Sequence, residues 1–137
     1  MISPEKIVKE RMFPNDAFSQ WLGIKVEDVS EGYCVVSMTV REDMLNGFGI
    51  AHGGITYSLA DSAFAFASNS YGNLAVSIET SISHTYRVLV GDRLTATAKI
   101  AYKGSKTGIY DISVLNGEDK VVALFKGTVF HKAKEWK

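Results

Sequence analysis

Apolar and polar residues alternate with a period of two along much of this chain, and a long apolar stretch near the middle breaks the pattern. In residues 33–41, Cys34, Val36, Met38 and Val40 share one face, while Ser37, Thr39 and Arg41 take the other. That is the pattern of a half-buried strand. Residues 94–102 repeat it, with Leu94, Ala96, Ala98, Ile100 and Tyr102 against Thr95, Thr97 and Lys99. So do residues 108–115, with Tyr110, Ile112 and Val114 opposite Asp111 and Ser113. Less regular β patterns mark 24–29, 74–86 and 121–131, and Asn116-Gly117 predicts a hairpin turn into the last of these.

The interruption, from about Gly53 to Asn69, is apolar nearly all round and predicts a helix enclosed by its surroundings. Gly72-Asn73 follows as its stop. Ahead of the strands, residues 3–12 suit a short helix, with Ser3 as cap, Pro4 in the first turn and Ile7 and Val8 on an apolar side. Pro14 is expected to end it, and Asn15 or Asp16 to cap a second short turn through Trp21. The order is short helix, two strands, one long buried helix, four strands. It predicts an α+β fold whose largely antiparallel sheet curves around the helix to keep it dry. No internal repeat or low-complexity linker divides the 137 residues, which read as one domain with a helical segment at 1–21 and a core at 22–132.

Charge and cysteine usage narrow the chemistry. Lys plus Arg and Asp plus Glu cancel at 15 each, so no net field favours nucleic acid or an anionic membrane. A polyanionic ligand therefore needs a local cluster of donors. The single Cys34 excludes an internal disulfide and a multi-cysteine metal site, and its apolar strand face reads as core. His84 and His131 lie on separate strands without metal-ligand spacing and read as structural. Residues 51–67 raise the question of a membrane span, but Gly53, Gly54, Thr56, Ser58, Asp61 and Ser62 interrupt it. An Asp at mid-helix costs about 2.5–3.5 kcal/mol on insertion. The start, Met-Ile-Ser-Pro-Glu-Lys, carries no apolar run of a signal peptide. The expectation is a soluble cytoplasmic protein with no metal site.

Between Met44 and Ile78 the only formally charged residue is Asp61. An unpartnered carboxylate in apolar surroundings raises its pKa, as functional carboxylates often do. A bland alternative is that it reaches water, caps a loop or sits at an oligomer surface. Gly53 and Gly54 at the predicted helix start admit a ligand close to backbone N–H groups that carry the positive end of the helix dipole. Such a site can polarise a carbonyl, and the same glycines also suit a tight turn packed on the sheet. Asn46 and His52 can add donors there. Lys103-Gly104-Ser105-Lys106-Thr107, between two strands, is either a solvated hairpin turn or a grip for phosphates.

Taken together, Asn46-x-x-Gly49-x-x-His52-Gly53-Gly54, then six residues to Asp61 in Ala60-Asp61-Ser62-Ala63, resemble the signature of hotdog-fold acyl-CoA thioesterases. The branch is that of the phenylacetic acid degradation (PaaI-like) proteins. The resemblance covers roughly Trp21 to Phe130, including the strand order and Gly91-Asp92-Arg93-Leu94 leading into the fourth strand. It implies a hotdog fold and hydrolysis of an acyl-CoA to free acid and CoA without metal or redox cofactor. The acyl group it implies is aryl (hydroxyphenylacetyl-like) or a short or medium chain. It further implies Asp61 as nucleophile or general base, and the Gly53 N–H as the group that polarises the thioester carbonyl. Asn46, His52 and Gly54 would help shape the site, and the turn at residues 103–107 would lie near the CoA nucleotide. The chain departs from that family at Tyr86-Arg87-Val88, where relatives often have Arg-Pro. Two alternatives share the fold. A hydratase or dehydratase pairs its Asp with a close downstream His, which Asp61 lacks. A non-catalytic acyl-CoA-binding module would bind without turnover.

Helix geometry adds a constraint. Gly53 and Asp61 are eight residues apart, about 12 Å along a helix. A catalytic group must come within about 3 Å of its reacting atom. One helix therefore cannot bring both residues to one thioester carbon. Two helices antiparallel across a two-fold axis can, and the site is then made twice. The family resemblance likewise implies a homodimer with shared sites, often paired again into a homotetramer.

Overall fold

The computed structural model describes all 137 residues. Helix α1 (Pro4–Lys6) runs on as a π-helical segment, Ile7–Met12, into a 3₁₀ turn, Phe13–Asn15. Ser3 caps α1 by accepting the Lys6 N–H, and Ile7 and Val8 are buried. The first helix gives way after Met12, at Phe13-Pro14, as expected, and Pro14 takes up the 3₁₀ turn there, where a proline near the start of a turn loses no hydrogen bond. Asp16 caps α2 (Ala17–Leu22), which ends at the left-handed Gly23.

Six strands follow: β1 (Lys25–Ser30), β2 (Tyr33–Thr39), then β3 (Asn73–His84), β4 (Arg93–Lys103), β5 (Thr107–Leu115) and β6 (Val121–Glu135). They form one sheet in the order β1-β2-β4-β5-β6-β3, and every neighbouring pair is antiparallel. The long helix α3 (Gly53–Asn69) connects β2 to β3, as the sequence predicts. This helix touches all six strands. Laid flat, six strands at about 4.8 Å spacing span about 24 Å, twice the width of a helix. The sheet therefore curls around α3, which is the hotdog arrangement.

Three inward-facing sets of strand residues meet the helix: Cys34, Val36 and Met38; Leu94, Ala96 and Ala98; Tyr110, Ile112 and Val114, all buried. On the helix, the Phe64 ring packs edge-on to Tyr110 at 5.9 Å and against Phe125 at 5.8 Å. It sits directly over Gly127 of β6, where a Cβ would come within 2.7 Å of three ring atoms. Asn69 fastens the far end. Its amide donates to Ala65 O and Ala75 O, and its oxygen accepts from Ala75 N–H and Trp136 Nε1–H. A buried asparagine so fully used fixes where the helix ends and β3 begins.

The structure departs from the sequence pattern in a few places. A register shift between Ile100 and Tyr102 reverses the alternation, leaving Tyr102 56% exposed. Ser37 is buried on the outer face, where its hydroxyl bonds Glu27 and Arg93 covers it. The hairpin after β5 is built by Asn116, whose side-chain oxygen accepts from the N–H groups of Glu118 and Lys120. Its left-handed residue is Asp119, not Gly117. Strand β6 runs on to Glu135, beyond the predicted 131. Most consequentially, α3 is not enclosed all round. Gly54, Ser58, Asp61, Ser62 and Ala65 keep some exposure and lie at i, i+4, i+7, i+8 and i+11, a single stripe that the sheet leaves uncovered. No helix is long and apolar enough to cross a membrane.

Candidate active site

The start of α3 is set by backbone ties on both sides. Ala51 N–H donates to Val88 O at 2.8 Å and His52 N–H to Met44 O at 2.9 Å, which draws the segment after β3 against the helix N-terminus. Asn46 shapes the preceding loop: its side-chain oxygen accepts from Phe48 N–H at 2.9 Å and Ile50 N–H at 3.3 Å. That use of the oxygen leaves the Asn46 amide free to donate.

His52 is the N-cap of α3. Its Nδ1 accepts the Gly54 N–H at 2.8 Å, so Nδ1 carries no proton and a neutral ring holds its hydrogen on Nε2. The Gly54 N–H is therefore already used within the chain. Ile55 N–H donates back to His52 O at 2.9 Å. Of these first three helical N–H groups, Gly53 alone has no acceptor within the chain. It opens on a cleft of about 430 Å³ that is also lined by Asn46, Thr56, His84, Tyr86 and Arg87. The free N–H, at the positive end of a 17-residue helix, suits a developing oxyanion.

Asp61 lies elsewhere, on the uncovered stripe. Burial pushes its carboxyl above the ordinary carboxylate value, and the nearby Asp16 pushes it further in the same direction. Asp16 is held in place by its capping role: it accepts from Ser19 N–H at 3.0 Å and Ser19 hydroxyl at 2.6 Å. With its own hydrogen so committed, Ser19 accepts from the Ser62 hydroxyl at 2.8 Å. This chain of bonds ties α2 to α3 beside Asp61.

The same stripe borders an apolar slot of about 380 Å³ between α2 and α3, lined by Phe18, Trp21, Leu45, His52, Gly54 and Ser58 among others. Phe18 and Trp21 stack at 5.9 Å and remain 54% and 46% exposed. The turn at residues 103–107 borders a third cleft, of about 480 Å³, near the opposite end of α3. There Lys103, Lys106 and Lys132 gather with Ser105, Tyr71 and His131. Gly104 N–H closes the turn on Thr107 O at 2.8 Å, and the Lys103 ammonium lies over the Tyr71 ring at 4.7 Å. Burial, then Lys103, lowers the His131 pKa.

The structure thus gathers Gly53 and Asn46 in one cleft and turns His52 and Gly54 inward on each other. It leaves Asp61 and the lysine turn apart from both. In the sequence His84 reads as a structural strand residue, Asp16 as a helix cap and Arg87 as part of a departure from the family pattern, none of them as part of a site. Nothing local marks them, because each reaches its place through long-range packing. Cys34 is a core thiol that burial, then Asp28, pushes up to about 12. No group of three or more His, Cys, Asp and Glu side chains is placed to hold a metal ion.

Comparison with known proteins agrees with this architecture. Residues 48–123 match the Thioesterase superfamily. The acyl-coenzyme A thioesterase PaaI of Escherichia coli is 47% identical over 116 residues, covering 85% of this chain and 83% of that protein. The solved structure of the E. coli PaaI protein, from the phenylacetic acid degradation operon, superposes with a TM-score of 0.90 at 43% identity, covering 93% and 92% of the two chains. A Streptococcus mutans protein solved with acetyl-CoA bound gives a TM-score of 0.80 at 28% identity, covering 82% and 91%. The chain belongs to the thioesterase superfamily, with the hotdog fold, and is a PaaI-like thioesterase.

Proposed function

We propose that this enzyme hydrolyses the thioester of an acyl-CoA to free acid and CoA, at sites shared between two protomers. The observation that carries the reading is the unused Gly53 N–H at the start of the helix whose exposed stripe bears Asp61. With two such helices antiparallel, Asp61 of one protomer meets Gly53 of the partner subunit. Asp61 either attacks the thioester carbon, giving an anhydride that water then opens, or takes a proton from the attacking water. The Gly53 N–H receives the charge that grows on the carbonyl oxygen. Hydrolysis changes no oxidation state and so needs no redox cofactor. In this proposal the Asp61 carboxylate and the Gly53 N–H take the activating roles that a metal fills in other hydrolases.

The remaining residues fit around this chemistry. Asn46 can donate beside Gly53, while His52 and Gly54 hold the helix start. The lysine turn borders a cleft with Tyr71 and Asn73, just past the helix end that lies about 12 Å beyond Asp61. It is thereby suited to the phosphates of a CoA whose thioester lies at Asp61. The Phe18–Trp21 slot favours an aryl acyl group, hydroxyphenylacetyl-like, over a short or medium aliphatic chain, with Ser58 and His52 as polar walls. Assembly into a homodimer, and of dimers into a homotetramer, belongs to the same proposal.

Complementation tests the shared site. Gly53→Pro deletes the one free N–H at a position where proline suits a helix, and His52 already has the extended backbone (ψ 136°) that precedes a proline. Gly53→Pro and Asp61→Asn homo-oligomers should each be inactive. Subunit exchange between them should restore up to about a quarter of wild-type activity per site, as random pairing of equal halves dictates. An exchanged mixture that stays inactive, or a forced monomer that turns over, would defeat the shared site. A profile over aryl and aliphatic acyl-CoAs tests the acyl preference.

A further inference from the structure

The cleft at the start of α3 holds an imidazole that the reaction above leaves unused. His84 is the last residue of β3, opposite Ala123 of β6. Thr85 behind it is tied to β6 by its N–H on Val122 O at 2.9 Å and its hydroxyl on Val121 O at 2.7 Å. The strand end is therefore fixed, while the ring itself is exposed. Its Nε2 lies 3.3 Å from the point where a side chain at Gly53 would begin.

That distance decides what the ring can reach. A Cβ and the amide nitrogen on the same Cα are about 2.5 Å apart by standard bond lengths. His84 Nε2 and the Gly53 nitrogen are thus separated by about 5.8 Å at most. Two donors that share one oxygen at about 2.9 Å each stand no more than about 5.8 Å apart. One oxygen between them therefore lies within hydrogen-bond distance of both nitrogens. The Arg87 guanidinium is drawn aside over the Tyr86 ring at 5.3 Å, while the Asn46 amide remains a further donor in the same cleft.

We infer that His84 is a further catalytic residue, donating from Nε2 to the substrate carbonyl oxygen that the Gly53 N–H also holds. The inference rests on the thioesterase reading and adds a residue to it. Attack at the carbonyl carbon moves the C=O π pair onto that oxygen. Collapse re-forms the C=O bond, breaks the C–S bond and expels the CoA sulfur as a thiolate. His84 keeps its proton throughout and stabilises only the intermediate charge.

The test is steady-state hydrolysis of an acyl-CoA by the full oligomer carrying His84→Ala, His84→Phe or His84→Gln. Ala and Phe should lower kcat by about 100-fold, the usual effect of losing one oxyanion donor. KM should stay within about threefold, and Gln, which keeps an N–H donor, should recover most of kcat. Thermal melts and gel filtration should match wild type. Wild-type kcat in Ala or Phe would overturn the inference. So would a loss confined to KM, a Gln variant as slow as Ala, or a loss that accompanies dissociation of the oligomer. If instead the wild-type protein hydrolyses no acyl-CoA, the thioesterase reading fails first, and this inference with it.

Discussion

His52 Nδ1 accepts the Gly54 N–H at 2.8 Å, and that one bond leaves the adjacent Gly53 N–H as the free donor of the helix start. The cap selects which amide faces the cleft. His52→Ala should cost about 1 kcal/mol of stability, the usual value of an N-cap. It should also lower kcat, because the first turn loses its fixed direction. His52→Ser restores a capping oxygen and should recover the stability. Urea denaturation alongside steady-state kinetics checks both.

Asp61 is expected to be costly to the fold and necessary to the reaction. Its raised pKa means that the folded protein holds this proton more tightly than the unfolded chain does. The stability this group contributes is present below its ordinary value and is lost as pH rises through the raised one. Asp61→Asn removes the charge and keeps the shape. It should abolish turnover by at least about 100-fold and raise Tm at neutral pH. The gain should vanish in acid, where the wild-type carboxyl is protonated as well. Melting curves across pH measure this directly.

Asp16 offers control of the same carboxylate from outside the reaction. Burial is the larger cause of the Asp61 shift and Asp16 the smaller, so Asp16→Asn should lower the Asp61 pKa only in part. The acid limb of kcat/KM should move to lower pH. Asparagine is as good a helix cap as aspartate, so α2 and its bond to Ser19 should persist. An unmoved limb would mean that the group titrating in the profile is not Asp61.

The lysine turn should act on binding alone. Lys103→Ala with Lys106→Ala is expected to raise KM for acyl-CoA by about 10-fold, equivalent to about 1.4 kcal/mol, with kcat unchanged. The wild-type KM should rise with ionic strength, and the double variant's should rise less. An acyl-pantetheine substrate, which lacks the nucleotide, should not distinguish the two proteins.

Much of this architecture is legible in the sequence because it is written in local periods. The strand faces of Cys34-Val36-Met38 and Tyr110-Ile112-Val114 follow from alternation, and Gly53 to Asn69 follows from a mostly apolar run that breaks the period of two between glycines. Features that depend on the curl of the sheet are not written locally. His84 reaches Gly53 across 31 residues of sequence, and it reads as an unremarkable strand histidine until β3 is seen folded against the helix start. Asp16 meets Asp61 only because α2 crosses α3. The uncovered stripe was equally hidden, since Gly, Ser and Ala on one face look as buried as their apolar neighbours. Motif spacing brought Asn46, His52, Gly53 and Gly54 together as one set, but hydrogen bonding divides them into a cap, its captive amide and a free donor.

Gly127 has no chemistry of its own, yet it acts as the gauge that sets the height of α3 above its sheet. The Phe64 ring rests where the missing side chain would be, so the helix can settle only as deep as this bare backbone allows. Phe64 lies three residues after Asp61, less than one turn away. Adding a methyl group at Gly127 would lift or tilt that turn and displace the carboxylate without touching the cleft or the cap. The position of the Asp61 carboxylate thus depends on a residue of the sheet that lies outside the cleft and the cap alike.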